Sequence, residues 1–561
     1  MRCSNSMELA FIWVEKFNSL VDFSLNLSNK HKYNYNKELN SLERSEELSL
    51  PENFFGDGVT SVTGIFGKNG SGKTNCLKLI GTVMSRARSR IKSNFIVVVD
   101  GNDGPLIYCR VTGKDRLGPT NNFNGRVVEY KDEIPGLNTV FLSNTFDSSD
   151  MGFDKKILNL SINNRAKSGN EFLEIFEFLS NKEVGDGFSI PTEIGVTIRP
   201  LKNRGQKFIA SSFDEDFFNN NENDIMELAD RYDRLIKRVN NRIKKKILPI
   251  YIPFVIVFNE FFDLLKDGSN GDIDNRGRFN ILNDLLKLLE VESISTNAIR
   301  KAFMDMLNTS PLDSKNVNIR KSNREFAYKL IDDVEYLDNY FKSNPNILEK
   351  VDYSGISGFR FTLVPDFHDS KMIRDISVIS KYSKPVFLDM SSGQKAIIGI
   401  LSSIYSQIKT RRNDTLIMLD EADLYLHPEW QLLFMKKMVE ILSIINKSSI
   451  QLIVTSHSPL IMTDFPKRCL ILLKCKNKLT RIDNNEFNPF GANLYDLYSQ
   501  GFFLKESKVG ALAYEKIISL LTEVKENPIG SPLSESFYQT LELISDEVSK
   551  VQIKKLAKYY D

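Results

Sequence analysis

Four residues near the start of the chain, Gly67, Gly72, Lys73 and Thr74, have the types and spacing of a phosphate-binding loop, G-x-x-x-x-G-K-[ST]. In such a loop the glycines let backbone N–H groups turn toward a phosphate, and the lysine brings a positive charge to the β- and γ-phosphates. The threonine offers its hydroxyl to Mg²⁺, and the helix that begins there adds its positive N-terminal end. The pattern therefore predicts that the chain binds a nucleoside triphosphate with Mg²⁺.

The loop lies between a predicted strand, Val62–Phe66, and a predicted helix, Asn75–Ile80. The alternative interpretation is a glycine turn without a ligand, and the strand–loop–helix context argues against it. The residues that we expect to surround the nucleotide here are Gly67, Lys68, Asn69, Gly70, Ser71, Gly72, Lys73, Thr74 and Asn75.

A second set of residues could supply the chemistry of hydrolysis. The apolar strand that begins at Thr415 ends in two carboxylates, Asp420 and Glu421. We expect Asp420 to hold Mg²⁺. Glu421 would accept a proton from the attacking water, or orient that water. The alternative is a strand followed by a helix cap.

Two further segments could contribute to nucleotide binding or hydrolysis. Ser391, Ser392, Gly393 and Gln394 precede an apolar helix predicted from Ile397, and small residues at a helix N-terminus present free N–H groups to an anion. An ordinary helix cap is the alternative there. The strand Gln451–Ser456 ends at His457, which is either a catalytic histidine or a capping or core imidazole.

Composition limits the class of protein. The chain has 561 residues, of which 41% are hydrophobic and 26% charged, so roughly two to four globular units are expected. A net charge of +2 points to no general affinity for nucleic acid or membrane. Five cysteines without metal spacing suit a reducing compartment. No signal pattern is evident, and the longest apolar run, Ile247–Phe258, is too short to span a bilayer and contains two prolines. We therefore expect a cytoplasmic protein without a membrane segment.

The pattern of apolar residues divides the chain into four parts. Residues 7–163 and 350–484 are rich in strand patterns and carry the motifs described above. Residues 164–349 show helical spacing among charges and are predicted to be a helical insertion, and residues 485–561 are predicted to be a helical C-terminal segment.

Some elements are predicted in more detail. Leu9–Val14 and Leu20–Leu27 are predicted strands, and the polar stretch Lys30–Phe55 is predicted to be a loop or surface insertion. Near the end, Ala511–Glu523 and Phe537–Val551 are predicted amphipathic helices.

One helix of the insertion is basic. Its positive residues could form a footprint on a nucleic-acid backbone. The alternative is a solvated helix face balanced by the nearby acids at 214–233. The basic residues are Arg231, Arg234, Lys237, Arg238, Arg242, Lys244, Lys245 and Lys246.

The order of the motifs resembles the head of the ABC-type ATPases, and within that superfamily the overcoming-lysogenization-defect and RecF-like branch. The resemblance covers roughly residues 7–150 and 350–505. It implies an α/β fold, an ABC-type P-loop ATPase head whose mixed sheet has an antiparallel β portion, with the helical insertion and helical C-terminal segment added to it. It also implies that the nucleotide is ATP.

The resemblance also implies roles for single residues. Ser391–Gln394 matches the signature motif, whose family form is LSGGQ, although Met390 and Ser392 depart from that form. Glu421 matches the catalytic glutamate and His457 the switch histidine. The family glutamine between the lobes has no clear match, and Asn144 is its substitute here and a candidate Mg²⁺ ligand.

In ABC heads the signature of one subunit closes over the nucleotide bound by the other. The resemblance therefore implies a homodimer with two ATP molecules at its interface, and it places Asp423 at that interface. Nucleotide binding would close the dimer, and hydrolysis would release it.

Three functions are compatible with such a cycle. The first is an ATPase subunit of a bacterial anti-phage defence system, similar to the PtuA-type ATPases of Septu and retron systems, which controls a partner effector such as a nuclease or a retron component. The second is a RecF- or SMC-like DNA-repair ATPase with the basic helix as its DNA contact, which DNA-stimulated hydrolysis would favour. The third is the nucleotide-binding subunit of a transporter, which co-purification with a membrane protein would favour.

Overall fold

The computed structural model describes residues 6–560 apart from 47–49, 86–89, 102, 111–117, 131–133, 146–150, 162–170, 186, 199–208, 210–212, 245–274, 290–316, 350–351, 355–357, 412, 446–448, 485–487, 494–495, 498–509 and 528–531. The chain divides into two compact units. The first unit combines Met1–Asn164 with Lys409–Asp561, and the second unit is Arg165–Ile408.

The strands that the structure describes are β1 (Glu8–Phe17), β2 (Leu20–Asn26), β3 (His31–Asn36), β4 (Ser41–Glu46), β5 (Val59–Gly67), β6 (Phe95–Asp100), β7 (Leu106–Arg110), β8 (Thr120–Asn121), β9 (Arg126–Glu129), β10 (Leu137–Ser143), β11 (Ile157–Asn159), β12 (Ile194–Ile198), β13 (Asp352–Ser354), β14 (Gly358–Leu363), β15 (Ser383–Phe387), β16 (Asp414–Asp420), β17 (Ile450–Ser456), β18 (Leu470–Lys476) and β19 (Leu479–Ile482). The α-helices are α1 (Lys73–Ser85), α2 (Glu171–Ser180), α3 (Lys182–Gly185), α4 (Glu215–Asn220), α5 (Glu222–Lys244), α6 (Asn275–Leu289), α7 (Val317–Ser343), α8 (Pro345–Glu349), α9 (Ser370–Tyr382), α10 (Ser392–Ile408), α11 (Pro428–Ile445), α12 (Pro459–Met462), α13 (Ala511–Glu526), α14 (Glu535–Glu542) and α15 (Glu547–Tyr560).

A seven-stranded sheet forms the centre of the first unit, in the order β11-β10-β16-β17-β5-β18-β19. All neighbouring strands are parallel except the β18–β19 pair. Leu416–Leu419 of β16 are fully buried, which explains the unbroken apolar run that predicted this strand. The carboxyl ends of β10, β16, β17 and β5 meet at one edge, where Ser143 pairs with Asp420 and Asp420 with Thr455.

A mainly antiparallel sheet, in the order β2-β1-β6-β7-β9, belongs to the same unit, and only its β7–β9 pair is parallel. Its inner face packs with α1 and the central sheet around a common core that includes Leu9, Leu77 and Met418. One buried side chain joins the two sheets. The Gln451 side chain on β17 accepts a hydrogen bond from the Leu9 N–H at 2.9 Å and donates one to the Leu9 carbonyl at 2.9 Å.

The predicted strands of the N-terminal part are confirmed, but the prediction of a loop at Lys30–Phe55 is wrong. β3 and β4 form an antiparallel hairpin there, and β4 pairs with β8. The hairpin exposes most of its residues, while Tyr33 and Leu42 are buried in a small core with Phe11. So few inward apolar residues give a weak alternation, which explains why the sequence pattern indicated a loop.

The second unit contains a four-stranded antiparallel sheet in the order β13-β14-β12-β15. Stacked aromatic side chains belong to its core, with Phe172 and Phe387 at a centroid distance of 4.4 Å and Phe176 and Phe367 at 4.7 Å. The insertion predicted at 164–349 is therefore not purely helical. Because β12 lies within it and pairs with β14 and β15, this compact unit continues to Ile408.

The helical character predicted for the insertion is present in α2, α5, α6 and α7. In the C-terminal segment α13 is confirmed, but the single helix predicted at Phe537–Val551 is wrong. The chain forms α14 and α15 instead, and a new helical start follows Asp546, whose carboxylate accepts a hydrogen bond from the Ser549 N–H at 3.1 Å. The three helices share a small core that includes Leu520, Phe537 and Ile553. Within the described residues, none of the helices has the length and apolar character needed to cross a bilayer.

We expect Gln451→Leu to lower the stability of the first unit by about 2–4 kcal/mol. The substitution keeps most of the volume but leaves the buried Leu9 N–H and carbonyl without their partner, and each such group costs about 1–3 kcal/mol. Denaturant unfolding measures this change. Gln539→Leu on exposed α14 is the matched control, with an expected effect within about 0.5 kcal/mol. Equal midpoints for both variants would show that Gln451 does not hold the two sheets together.

Candidate nucleotide-binding site

The predicted phosphate loop joins the end of β5 to the start of α1. Gly72 has φ +106°, and a Cβ there would collide with the Thr480 side chain. A Cβ on Gly67 would lie 2.7 Å from the Leu473 carbonyl oxygen, so these two positions accept only glycine. The result is a tight loop that ends at a helix N-terminus, where backbone N–H groups are free to bind an anion.

Lys73 is the central charge of the site. Its ammonium donates a hydrogen bond to the Gly67 carbonyl at 3.0 Å and lies 3.4 Å from Oε1 of Glu421. Only 5% of the Lys73 side chain is exposed. A buried ammonium needs such partners, because an unpaired charge in the interior is strongly unfavourable. The sheet thus brings together the phosphate-loop lysine and the predicted catalytic carboxylate.

Glu421 occupies a backbone conformation that side chains rarely adopt, with φ +47°. Its N–H donates a hydrogen bond to the Thr455 carbonyl at 3.1 Å, which holds the turn against β17. A left-handed conformation costs a non-glycine residue about 1–3 kcal/mol and persists only where the surroundings impose it. The turn directs the Glu421 carboxylate toward Lys73 and His457 rather than along the strand.

Asp420 lies at the buried end of β16 and is 5% exposed. Its Oδ1 accepts a hydrogen bond from the Thr455 hydroxyl at 2.7 Å. The pKa of Asp420 is raised to about 6, chiefly by burial; the Thr455 hydrogen bond lowers it, and the neighbouring Glu421 charge adds to the rise. A proton would therefore compete with a cation for this carboxylate below about pH 6. No motif identifies Thr455, because its contact with Asp420 arises from the pairing of β16 with β17.

His457 follows β17, and its Nδ1 lies 3.6 Å from Oε1 of Glu421. Within the part of the chain that the structure describes, His457 Nδ1 and the buried Ser71 hydroxyl have no hydrogen-bond partner. Two unsatisfied polar atoms, a buried lysine and a glycine cradle therefore converge on the end of the central sheet. A bound phosphate would satisfy the hydrogen-bonding capacity and the charge of these groups better than they satisfy one another.

Two other residues singled out from the sequence, Asn144 and Asp423, are buried. Asn144 is buried, and its side chain donates a hydrogen bond to the Ala422 carbonyl at 3.3 Å, which leaves its amide oxygen as the atom that could meet a cation. Asp423 is 2% exposed, and its carboxylate accepts a hydrogen bond from the Ser456 hydroxyl at 2.8 Å. Burial raises the pKa of Asp423, and the Ser456 hydrogen bond lowers it.

The predicted signature residues belong to the second unit, where they open α10. The Gln394 N–H donates a hydrogen bond to the Ser391 hydroxyl at 3.3 Å, and the Ser391 N–H donates one to the Gln394 side chain at 2.9 Å. This reciprocal pair is a capping box. Ser391 and Ser392 are exposed, while Met390 is buried. The segment is therefore an open N-terminus of a 17-residue helix.

The predicted basic helix is α5. Arg234 and Lys237 are exposed, and Arg231 donates a hydrogen bond to Asn283 at 2.6 Å. The opposite face, which includes Leu228 and Tyr232, is buried. The side chains of Arg238, Arg242 and Lys244, and all of Lys245 and Lys246, lie outside the described part.

The fold and the site are those of a P-loop ATPase. A largely parallel central sheet presents the phosphate loop after β5 and the acidic pair after β16, with a mainly antiparallel sheet in the same unit. The family described as "AAA domain, putative AbiEii toxin, Type IV TA system" matches residues 62–463. The chain belongs to this family.

Three similar proteins set the context. "Retron Vc95 probable ATPase" of Vibrio cholerae serotype O1 biovar El Tor is 24% identical over 276 residues, 47% of this chain and 47% of that protein. "Retron Ec83 probable ATPase" of Escherichia coli is 24% identical over 212 residues, 34% of this chain and 37% of that protein. The chain thus matches less than half the length of either relative. A solved structure titled "Structure of the recombination mediator protein RecF-ATP in RecFOR pathway" is 14% identical, covers 86% of this chain and 99% of that chain, and has a TM-score of 0.24.

We expect Lys73→Ala to abolish ATP binding at concentrations that saturate the wild type, because the charge-assisted contacts to the phosphates disappear. Titration with a fluorescent ATP analogue measures this loss. Lys92→Ala, at an exposed position after this helix, is the control, and it should bind the analogue as the wild type does. Equal affinity of Lys73→Ala and the wild type would contradict the site.

Proposed function

We propose that the chain is an ATP-hydrolysing subunit of a bacterial anti-phage defence system and acts in the cytoplasm. The observation that carries the enzymatic part is the 3.4 Å approach of Lys73 Nζ to Glu421 Oε1 beside the phosphate loop. The family match and the two relatives named retron ATPases support the biological part.

Each group of the site has a role in this proposal. The loop from Gly67 to Asn75 and Lys73 bind the triphosphate of the substrate ATP. Thr74 and Asp420 would hold Mg²⁺, which would supply positive charge against the charge that develops on the phosphates. Glu421 orients the attacking water and takes its proton, because its carboxylate lies at the end of the phosphate loop. His457, at 3.6 Å from Glu421, orients that carboxylate and donates to the phosphate.

We further propose that two copies associate around ATP. The exposed N-terminus of α10 supports this role because the capping box engages the N–H groups of Ser391 and Gln394 and leaves those of Ser392 and Gly393 to meet the nucleotide that the other copy binds. ATP binding would favour the closed dimer and hydrolysis the open one. The partner effector, a nuclease or a retron component, would read these two states.

Nucleic acid is a second proposed partner, and it is the ligand that a RecF-like function would require. The exposed side chains of Arg234 and Lys237 on one face of α5 support this idea, since clustered positive side chains bind the phosphate backbone. Stimulation of ATP turnover by duplex DNA, with no other protein present, would favour this function over the defence role.

We expect Glu421→Gln to slow ATP hydrolysis by about 10²–10⁴-fold, the usual worth of a general base, while ATP stays bound. The amide keeps the shape of the side chain but cannot take a proton. Phosphate release under saturating Mg-ATP measures the rate, and binding of a non-hydrolysable analogue is the control. Unchanged turnover would remove Glu421 from the reaction.

The same variant tests the biological role. In cells that carry the native gene with its neighbours, Glu421→Gln should remove protection against phage, as judged by plaque counts. Full protection by this variant, at wild-type protein levels and with turnover lost, would contradict a defence role that depends on hydrolysis.

We expect Ser392→Arg to prevent ATP-dependent dimerisation without unfolding the chain. The larger, charged side chain would fill the space that a phosphate must approach at the start of α10. Light scattering after size-exclusion chromatography, with Glu421→Gln as background and ATP present, measures the mass. Ser536→Arg is the matched control, because Ser536 is also exposed in the first turn of a helix. A dimer of normal mass with Ser392→Arg would refute this interface.

A further inference from the structure

The Gln431 side chain, beside the site, joins two loops and has no role in the proposed reaction. Gln431 lies in the first turns of α11, which follows the acidic pair. Its amide nitrogen donates hydrogen bonds to the carbonyls of Asp423 at 3.3 Å and Leu426 at 3.0 Å. Its amide oxygen accepts a hydrogen bond from the Ser458 hydroxyl at 2.7 Å. The two carbonyl partners fix which end of the amide donates, since a carbonyl can only accept.

These contacts close a ring of hydrogen bonds. The Ser458 N–H donates to the Ser456 hydroxyl at 2.8 Å, and that hydroxyl donates to the Asp423 carboxylate at 2.8 Å. The Gln431 amide connects Ser458 back to Asp423 and completes the ring. Asp423, Ser456 and Ser458 are buried, so water competes poorly for these bonds.

The ring is formed by residues close to Glu421 and His457 in the sequence, but it includes neither of those two side chains. His457 is the residue between Ser456 and Ser458, and Glu421 lies two residues before Asp423. The 3.6 Å separation of Glu421 Oε1 and His457 Nδ1 therefore depends on two loops that the ring joins. Glu421 is also held in a left-handed backbone conformation, which relaxes unless its surroundings oppose it.

We propose that Gln431 is a positioning residue that fixes the Glu421 turn against the His457 loop. This inference rests on the proposed ATPase function and adds to it a residue that touches neither nucleotide nor water. Without the amide, both loops keep their backbone course and the Ser456–Asp423 bond but lose the bonds through Gln431 that help to set their spacing. Misplacement of a reacting group by about 1 Å can cost about 10²-fold in rate.

The test replaces Gln431 by Met, which has the same length and no hydrogen bonds at its end. We expect kcat for ATP hydrolysis to fall about 10–100-fold. Affinity for a non-hydrolysable ATP analogue should stay within about twofold, because the ring includes no residue of the phosphate loop. Gln539→Met, at an exposed position of α14, is the matched control and should keep the wild-type kcat.

A second pair of variants separates positioning from stability. Ser458→Ala removes the bond to Gln431, together with the bond that the Ser458 hydroxyl accepts from the Leu460 N–H at the start of α12, and should lower kcat. Ser458→Thr keeps a hydroxyl that can make both bonds and should restore most of the rate. The double variant Gln431→Met with Ser458→Ala should lose no more kcat than the more severe single variant. Either substitution alone already breaks the ring, so the second adds no further loss.

Wild-type kcat for Gln431→Met would overturn the inference. So would losses of kcat, analogue affinity and melting temperature in parallel, with additive single variants, because that result indicates general destabilisation. If the proposed ATPase function is wrong, the same measurements give a different result. The wild type would then show no ATP turnover, or Lys73→Ala and Glu421→Gln would turn over ATP at the wild-type rate.

Discussion

The buried ammonium of Lys73 is the interaction on which the rest of this structure depends. A charge that is 5% exposed requires compensation, and the Gly67 carbonyl and the Glu421 carboxylate provide it. Gly67 and Glu421 belong to distant segments of the chain, so the contact exists only if β5 and β16 lie on either side of β17. The sheet order, the two short turns at its edge and the glycine cradle can all be understood as conditions for this one contact.

The three acidic residues on β16 and its turn have different environments, and in the proposed function this difference suits each to a separate role. Asp420 is buried under the Thr455 hydroxyl, and its pKa is raised to about 6. Glu421 is partly exposed beside Lys73. Asp423 is buried again, with its carboxylate bound by Ser456. The site thus combines a carboxylate suited to a cation, one suited to water, and one committed to holding the protein together.

Much of the fold was predictable where local pattern and burial agree. The strands that end at Asp420 and Ser456 are covered on both faces, so unbroken apolar runs identified them. The hairpin β3–β4 was missed because only residues such as Tyr33 and Leu42 point into a core. The break between α14 and α15 was missed because apolar spacing continues through it, and only the Asp546 cap marks the new start. The pairing of β12 with β14 and β15 joins distant segments, and no local pattern reports such pairing.

The sequence by itself determined the chemistry: a phosphate loop, an acidic pair after an apolar strand, and a histidine after another, because these depend on residue type and short spacing. Only the tertiary structure decided which groups meet. It placed Glu421 against Lys73 and His457, buried Asp423 beneath Ser456, and connected the two loops through Gln431, a residue with no motif of its own. Contacts between distant segments arise from strand order and register, which are properties of the whole sheet and not of any one stretch.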